Sequence, residues 1–373
     1  MFRKSSLLFF SLLFFINLHS EEMKGIWIIR WDVDAPLKVF KLMDDIKKYD
    51  INTLFVQVYA RCEAMYKSKI APRSTELLEA PFNYDPLDLI VKLAHRDGYK
   101  VHAWINLYYA WSHAPFPLTQ SHIANKHPEW FIGDDRGINL KTYSIEEIKA
   151  VGLEGYFLEP GNEEVREYLK KIVDEIVKNY DIDGLHMDYC RYPRSNYGYD
   201  IPARVTFMRA NYIDPLKLQD VTDTDIKKEF GDEAFFDLQK RWDDWRREQV
   251  TLTIKEISNS IRRKKPGIQV SVAVIGDNTH ALDDLFQDWV SWARLGYVDF
   301  VVPMLYSTNI DWIERKTRNI AALIGGDKLA VGLGAYLQDY TNLVQEIIRV
   351  EGAGTRGYLL FSYGGMVGKG YFD

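Results

Sequence analysis

Short, nearly continuous apolar runs alternate along the chain with longer segments whose apolar residues recur every three to four positions. The runs Gly25 to Asp32 (GIWIIRWD), Asn52 to Tyr59 (NTLFVQVY) and Lys100 to Asn106 (KVHAWIN) read as parallel strands covered on both faces. Between them, Ala35 to Tyr49 places Val39, Leu42, Met43 and Ile46 on one helical face. Pro86 to Gly98 has Pro in its first turn and Gly just past its end, as a helix start and stop require. A helical stretch from Glu163 to Asn179 leads into DIDGLHMDYCRYPR (Asp181 to Arg194), where Leu185 and Met187 alternate with His186 and Asp188 before a Tyr-Pro stop. This predicts a short buried strand that delivers Asp188 to its carboxyl end.

The rhythm resumes with strands at Ile268 to Ile275, Val298 to Tyr306, Lys328 to Ala335 and Arg356 to Tyr363. Helical patterns near Phe286 to Leu295, Trp312 to Ile324 and Tyr340 to Val350 separate them. No composition shift or linker divides the series. The pattern predicts an α/β fold, a single (β/α)8 TIM barrel over residues 24–373. An open doubly wound sheet fits less well, because no Gly-rich phosphate turn follows the first strand. Two long insertions interrupt the rhythm: Leu107 to Gly161, rich in aromatics, Pro and Gly, and Pro193 to about Glu233, ahead of a charged helix near Ala234 to Lys264. They follow the third and fourth strands and so emerge on the face where barrel enzymes bind substrates, as walls of a cleft. WRREQV (Trp245 to Val250) reads as a charged, partly exposed helix face.

Residues two apart on a strand share a face, so His186 and Asp188 both point into the barrel. An unpaired buried carboxylate is costly, which places Asp188 at the open rim or in a well hydrogen-bonded site. The rim gathers Arg30, Gln57, Glu63, Trp104, Asn106, His186, Asp188, Arg191, Asp277 and Tyr306. Carboxylates and amides pair with hydroxyls while Trp and Tyr cover an apolar ring face, a mixture suited to a sugar. Glycoside hydrolysis uses two carboxyl groups. Asp188 is the expected ionised partner, kept charged by His186 and nearby Arg side chains, and Glu63 or Asp277 the expected acid; for each, an Arg-paired structural role is the alternative. The eight His form no H-x-H or H-x-x-x-H pair, no G-x-S-x-G elbow is present, and Cys190 has no identifiable His partner. Neither a metal nor another cofactor is therefore expected.

Composition changes this picture only slightly. The 373 residues are 47% hydrophobic and 14% aromatic, with 10 Trp and 23 Tyr, which favours ring-shaped ligands. A net charge of −6 without a basic stripe argues against nucleic acid. Arg3 and Lys4, the apolar run Leu7 to Leu18 and Ser20 have the pattern of a secretory signal over residues 1–20, with an uncleaved membrane anchor as the alternative. Export to the periplasm or the cell exterior is thus expected. Cys62 and Cys190 either form one bridge or stay buried and reduced.

Several blocks together resemble the bacterial glycosyl-hydrolase-like family ten: KGIWI, FVQVYARCEAMYKSKIAPRS, AHRDGYKVHAWIN, HPEWF, FLEPGNEEVREYL, YDIDGLHMDYCRYP, DWRREQV and QDWVSWARLGYVDFVVPMLY, in a match from about Lys24 to Gly365. The resemblance implies an exported (β/α)8 protein that hydrolyses glycosidic bonds, with peptidoglycan glycan strands among the family's substrates. The motif D-G-[LIV]-H-x-D-Y-x-R-Y-P falls on Asp183 to Pro193 and puts the family's strand-four acidic residue on Asp188. The family's usual Asp-Ala after the second strand reads Glu63-Ala64 here, and its Asp-Pro-Gly or Asn-Pro-Gly loop reads Glu159-Pro160-Gly161. The expected activity is hydrolysis of an amino-sugar or peptidoglycan polysaccharide by paired carboxylates. The alternative is a glycan-binding barrel without turnover.

Overall fold

Eight of the apolar runs are strands of one parallel sheet whose first strand pairs on both sides. In the computed structural model, which describes residues 22–219 and 225–372, these are β1 (Met23–Ile28), β2 (Thr53–Ala60), β3 (Lys100–Asn106), β4 (Gly184–Asp188), β5 (Gln269–Ile275), β6 (Phe300–Met304), β7 (Ala330–Leu333) and β8 (Gly357–Leu360). Gly25 of β1 lies beside Thr53 of β2 and beside Leu359 of β8, so the sheet closes on itself. The principal helices are α1 (Pro36–Ile46), α2 (Pro86–Arg96), α3 (Glu163–Asn179), α4 (Asp232–Lys264), α5 (Trp289–Arg294), α6 (Ile310–Ile324), α7 (Tyr340–Glu351) and α8 (Tyr363–Gly368). The predicted barrel is the observed one, with α8 as an additional turn after the last strand.

The strand period of two divides the core. Ile26, Ile28, Leu54, Val56, Leu185 and Met187 pack outward against the helices. Trp27, Phe55, Trp104, Phe300 and Leu359 fill the barrel interior. His102 is buried among them with neither ring nitrogen hydrogen-bonded, and burial pushes it down to about 3, so it is neutral. It also explains the glycine of the D-G-L-H motif. A Cβ at Gly184 would stand 2.3 Å from the His102 Nδ1.

The insertions are held by apolar packing and by buried polar groups. Tyr109–Trp111 pairs antiparallel with Tyr156–Phe157 in the first, and Ile201–Asn211 is a helix of the second, capped by Asp200. They join where the Gly133 carbonyl accepts from the Gly198 and Tyr199 amides at 2.9 and 3.2 Å. Arg246 of α4 is buried, not part of a solvated face, because its Nη1 donates to the carbonyls of Ser195 and Tyr197. Cys62 and Cys190 are separate buried thiols. No helix among the described residues is long and apolar enough to cross a membrane. The predicted signal segment, residues 1–20, lies outside the described residues.

Beneath the junction, Glu159 of the first insertion meets Asp200 of the second. Glu159 Oε1 accepts from the Gly161 amide at 2.8 Å and the Tyr192 hydroxyl at 2.9 Å. Asp200 Oδ1 accepts from the Ala203 amide at 3.2 Å. Glu159 Oε2 and Asp200 Oδ2 are both buried without a hydrogen-bond partner. Burial raises both groups, Glu159 to about 7 against the opposing charge of Arg246 and Asp200 well above its ordinary range against that of Arg204. Burial and the neighbouring carboxylate thus favour a protonated form of the pair. Folded protein therefore binds protons more tightly than unfolded chain, and this stabilisation is full at low pH and lost as pH rises through about 7. Asp200→Asn supplies a permanent donor to Glu159 and keeps the cap. Its stability relative to wild type, measured by urea unfolding, should improve by roughly 1–2 kcal/mol between about pH 5 and about pH 8. Parallel pH profiles of the two proteins would show that the pair is not protonated.

Candidate active site

Asp188 ends β4 at the floor of a cavity of about 630 Å³ on the carboxyl face. Trp27, Trp104 and Ala273 lie below it, Arg30, Gln57 and Asn106 on one side, and Tyr306, Met304 and Phe361 on another. Tyr189, Arg191 and Glu154 complete the wall. The chain turns sharply after Asp188: Tyr189 has φ 52°, a left-handed conformation that disfavours a bulky side chain. That turn aims the Tyr189 amide at Asp188 Oδ1, 2.6 Å away. The strain, of order 1–3 kcal/mol, is held in place by the packing of Tyr189 against Tyr109, their rings stacked at 4.6 Å.

His186 does not keep Asp188 charged. It lies one inward position deeper, fully buried, where its Nε2 accepts from the Trp27 indole at 3.2 Å and its Nδ1 meets Ser271 Oγ at 2.9 Å. Burial holds it well below the usual histidine range, so it is neutral and does not line the cavity. Burial raises Asp188 to about 6, opposed by the Tyr189 amide and the Arg191 charge and reinforced by Glu154. Asp188 is thus largely ionised at pH 7 and takes a proton just below it.

The binding residues expected on the first three strands form a connected row. Arg30 Nη1 donates to Gln57 Oε1 at 3.1 Å, and Gln57 Nε2 donates to Asn106 Oδ1 at 3.5 Å. Arg30 Nε reaches Glu76 at 3.2 Å, which Arg61 also contacts at 2.7 Å. Burial lowers Arg30 to about 10, leaving it a cation. Across the cavity Tyr306 stacks on Phe361 at 5.4 Å. Trp31 stands at the mouth, 44% exposed, with the Arg30 guanidinium over its ring at 4.6 Å. Such faces suit the apolar side of a sugar ring.

The two carboxylates expected to accompany Asp188 lie elsewhere. Glu63 is 2% exposed and accepts from the Thr75 amide at 3.2 Å, the Thr75 hydroxyl at 2.9 Å and the Ser74 hydroxyl at 3.3 Å, with Arg61 at 3.7 Å. It ties down its own loop and does not line the cavity. Asp277 caps the short helix Asn278–Asp283 through the His280 amide at 3.1 Å and pairs with Lys316 at 3.0 Å, which hold it below the usual carboxylate range. Glu154, which the pattern reading passed over, is at the cavity. Its signal is a lone Glu between Gly152 and Gly155 in an aromatic-rich insertion. Among the described residues no group of three or more His, Cys, Asp or Glu side chains is arranged to hold a metal ion.

A closed parallel barrel with a carboxylate and aromatic faces in its carboxyl-end cavity has the fold of glycoside hydrolase barrels. The chain belongs to the glycosyl hydrolase-like 10 family, whose model matches residues 22–323. It is 28% identical over 326 residues to the glycosyl hydrolase YngK of Bacillus subtilis, covering 79% of this chain and 56% of that protein. It is 26% identical over 329 residues to the glycosyl hydrolase DigH of Escherichia coli K12, covering 77% and 66%. The chain thus spans somewhat more than half of the length of these relatives. Among solved structures it is similar to the PgaB (BpsB) glycoside hydrolase domain from Bordetella bronchiseptica, with a TM-score of 0.63, 13% identity and coverage of 94% and 96%. Alpha-L-fucosidase isoenzyme 2 from Paenibacillus thiaminolyticus gives a TM-score of 0.63 at 14% identity, covering 94% of this chain and 48% of that one. At these identities the structural likeness concerns the fold alone.

The balance of forces on Asp188 is measurable. A carboxyl carbon resonance absent from Asp188→Asn should titrate with a midpoint near 6 and move upward in Arg191→Gln, which removes an opposing positive charge. A midpoint below about 4 would mean that the Tyr189 amide outweighs burial.

Proposed function

We propose that the protein is an exported glycoside hydrolase that cleaves glycosidic bonds of a polysaccharide, amino-sugar or peptidoglycan glycan strands in particular. The observation that carries this reading is Asp188, a carboxyl group near 6 at the floor of an aromatic-walled cavity. A group with that value exchanges a proton readily near neutral pH, as protonation of a glycosidic oxygen demands. Tyr306, Phe361 and Trp31 offer ring faces, and Gln57 and Asn106 offer amides for hydroxyls. The glycosyl hydrolase names of the relatives and the family assignment support the same reaction class. Export rests on the segment from Arg3 to Ser20, and the peptidoglycan substrate on the family resemblance.

Product analysis by mass spectrometry after digestion of purified peptidoglycan strands, with and without stem peptides, tests the reading. Wild type should release new reducing ends, and Asp188→Asn should lose about 10²- to 10⁴-fold in kcat with KM little changed. Equal turnover by the variant would remove Asp188 from the chemistry. Failure of wild type on peptidoglycan, chitin-like and plant-type glycans alike, with binding retained by both proteins, would instead make this a glycan-binding barrel.

A further inference from the structure

We propose that Glu154 is the second catalytic carboxylate, carried to the cavity by the insertion after β3 to act with Asp188. This rests on the glycosidase reading and names the group that the reading leaves open. Glu154 lines the same cavity as Asp188, and its charge raises the Asp188 pKa, so the two are electrostatically coupled. The carboxylates expected from the sequence do not compete: Glu63 is bound to Thr75, and Asp277 to His280 and Lys316. Asp32 is also outside the lining, accepting from the Ile29 amide at 3.1 Å.

The position of Glu154 is built, not incidental. Its Oε2 accepts from the Tyr189 hydroxyl at 2.5 Å, and Arg191 Nη2 stands 3.5 Å from Oε1. Tyr189 follows Asp188 directly, so one residue addresses both carboxylates, by its amide and by its hydroxyl. The backbone is equally constrained. A Cβ at Gly155 would lie 2.1 Å from the Trp111 carbonyl oxygen, so the loop runs hard against the Tyr109–Trp111 strand. The Glu154 carbonyl accepts from the Tyr109 hydroxyl at 3.0 Å. The Glu154 side chain nevertheless remains 57% exposed, open to substrate and water.

The division of labour follows from environment. Asp188 is enclosed, and burial lets it carry a proton near neutral pH. Glu154 faces solvent, with the Tyr189 hydroxyl on one of its oxygens and the Arg191 guanidinium beside the other, and is open to a water at the cavity mouth. Protonated Asp188 gives its proton to the glycosidic oxygen as the C1–O bond breaks and the electron pair leaves with that oxygen. Glu154 takes a proton from the water whose oxygen bonds to C1. One water is consumed, and the proton held on Glu154 restores that lost from Asp188 through solvent.

The test uses the full chain on glycan strands stripped of stem peptides, with Glu154→Gln and Glu154→Ala beside wild type. Glu154→Gln should lose about 10²- to 10⁴-fold in kcat with KM nearly unchanged. The alkaline limb of the pH–rate profile, set by Asp188, should remain in the residual activity. Sodium azide should restore turnover to Glu154→Ala and yield a glycosyl azide visible by mass spectrometry, which a merely positioning residue would not allow. Wild-type activity with more than a tenth of kcat kept in Glu154→Gln, or no azide rescue of Glu154→Ala, would overturn the inference and leave the glycosidase reading standing. A wild type inactive on these strands and on chitin-like and plant-type glycans would overturn both. Thermal melts within a few degrees of wild type confirm that any loss is chemical.

Discussion

The closure of the sheet through the two-sided pairing of β1 is the constraint on which the other features depend. Because β1 bonds to both β2 and β8, all eight strands end on one rim, and every loop that follows a strand is directed over the same opening. Closure also removes the sheet edges and leaves the interior to side chains alone. Trp27, Phe55, Phe300 and Leu359 fill it, and two buried neutral histidines are fitted among them. The cavity above is therefore the upper end of a packed column, and its floor does not shift independently of the barrel.

Depth in that column explains the divergent behaviour of neighbouring polar residues. His186 and Asp188 share a face, but two residues along a strand is about 6.6 Å. That distance separates a dry layer, where only the neutral imidazole survives between Trp27 and Ser271, from the rim. At the rim Asp188 is still enclosed enough for burial to exceed the help of the Tyr189 amide and Arg191. The left-handed turn at Tyr189 is the local cost of aiming that amide.

Around the rim, polar clasps fix how the apolar clusters of the two insertions meet. The insertions meet through the Gly133 carbonyl, through Arg246 and where Glu159 lies against Asp200. Buried polar groups of this kind admit few alternative geometries, since any other leaves them unsatisfied. The result is a defined cleft built from segments that lack the strand and helix rhythm of the barrel.

The alternation of apolar runs was enough to reveal the barrel, because a strand buried on both faces leaves an unmistakable run and each helix shows one apolar face. Asp188 was legible for the same reason: the strand pattern around it stops abruptly at Tyr192-Pro193. The sequence could not show which way a side chain turns after a strand has ended. Glu63 and Asp277 both follow strands, yet each swings to a nearby donor and away from the cavity. Nor could it show that Glu154, far upstream in an irregular insertion, would meet Tyr189. Local pattern reports which residues are covered, because burial follows period. Contacts between distant loops depend on how backbone groups are satisfied around the rim, and only the tertiary structure decides that.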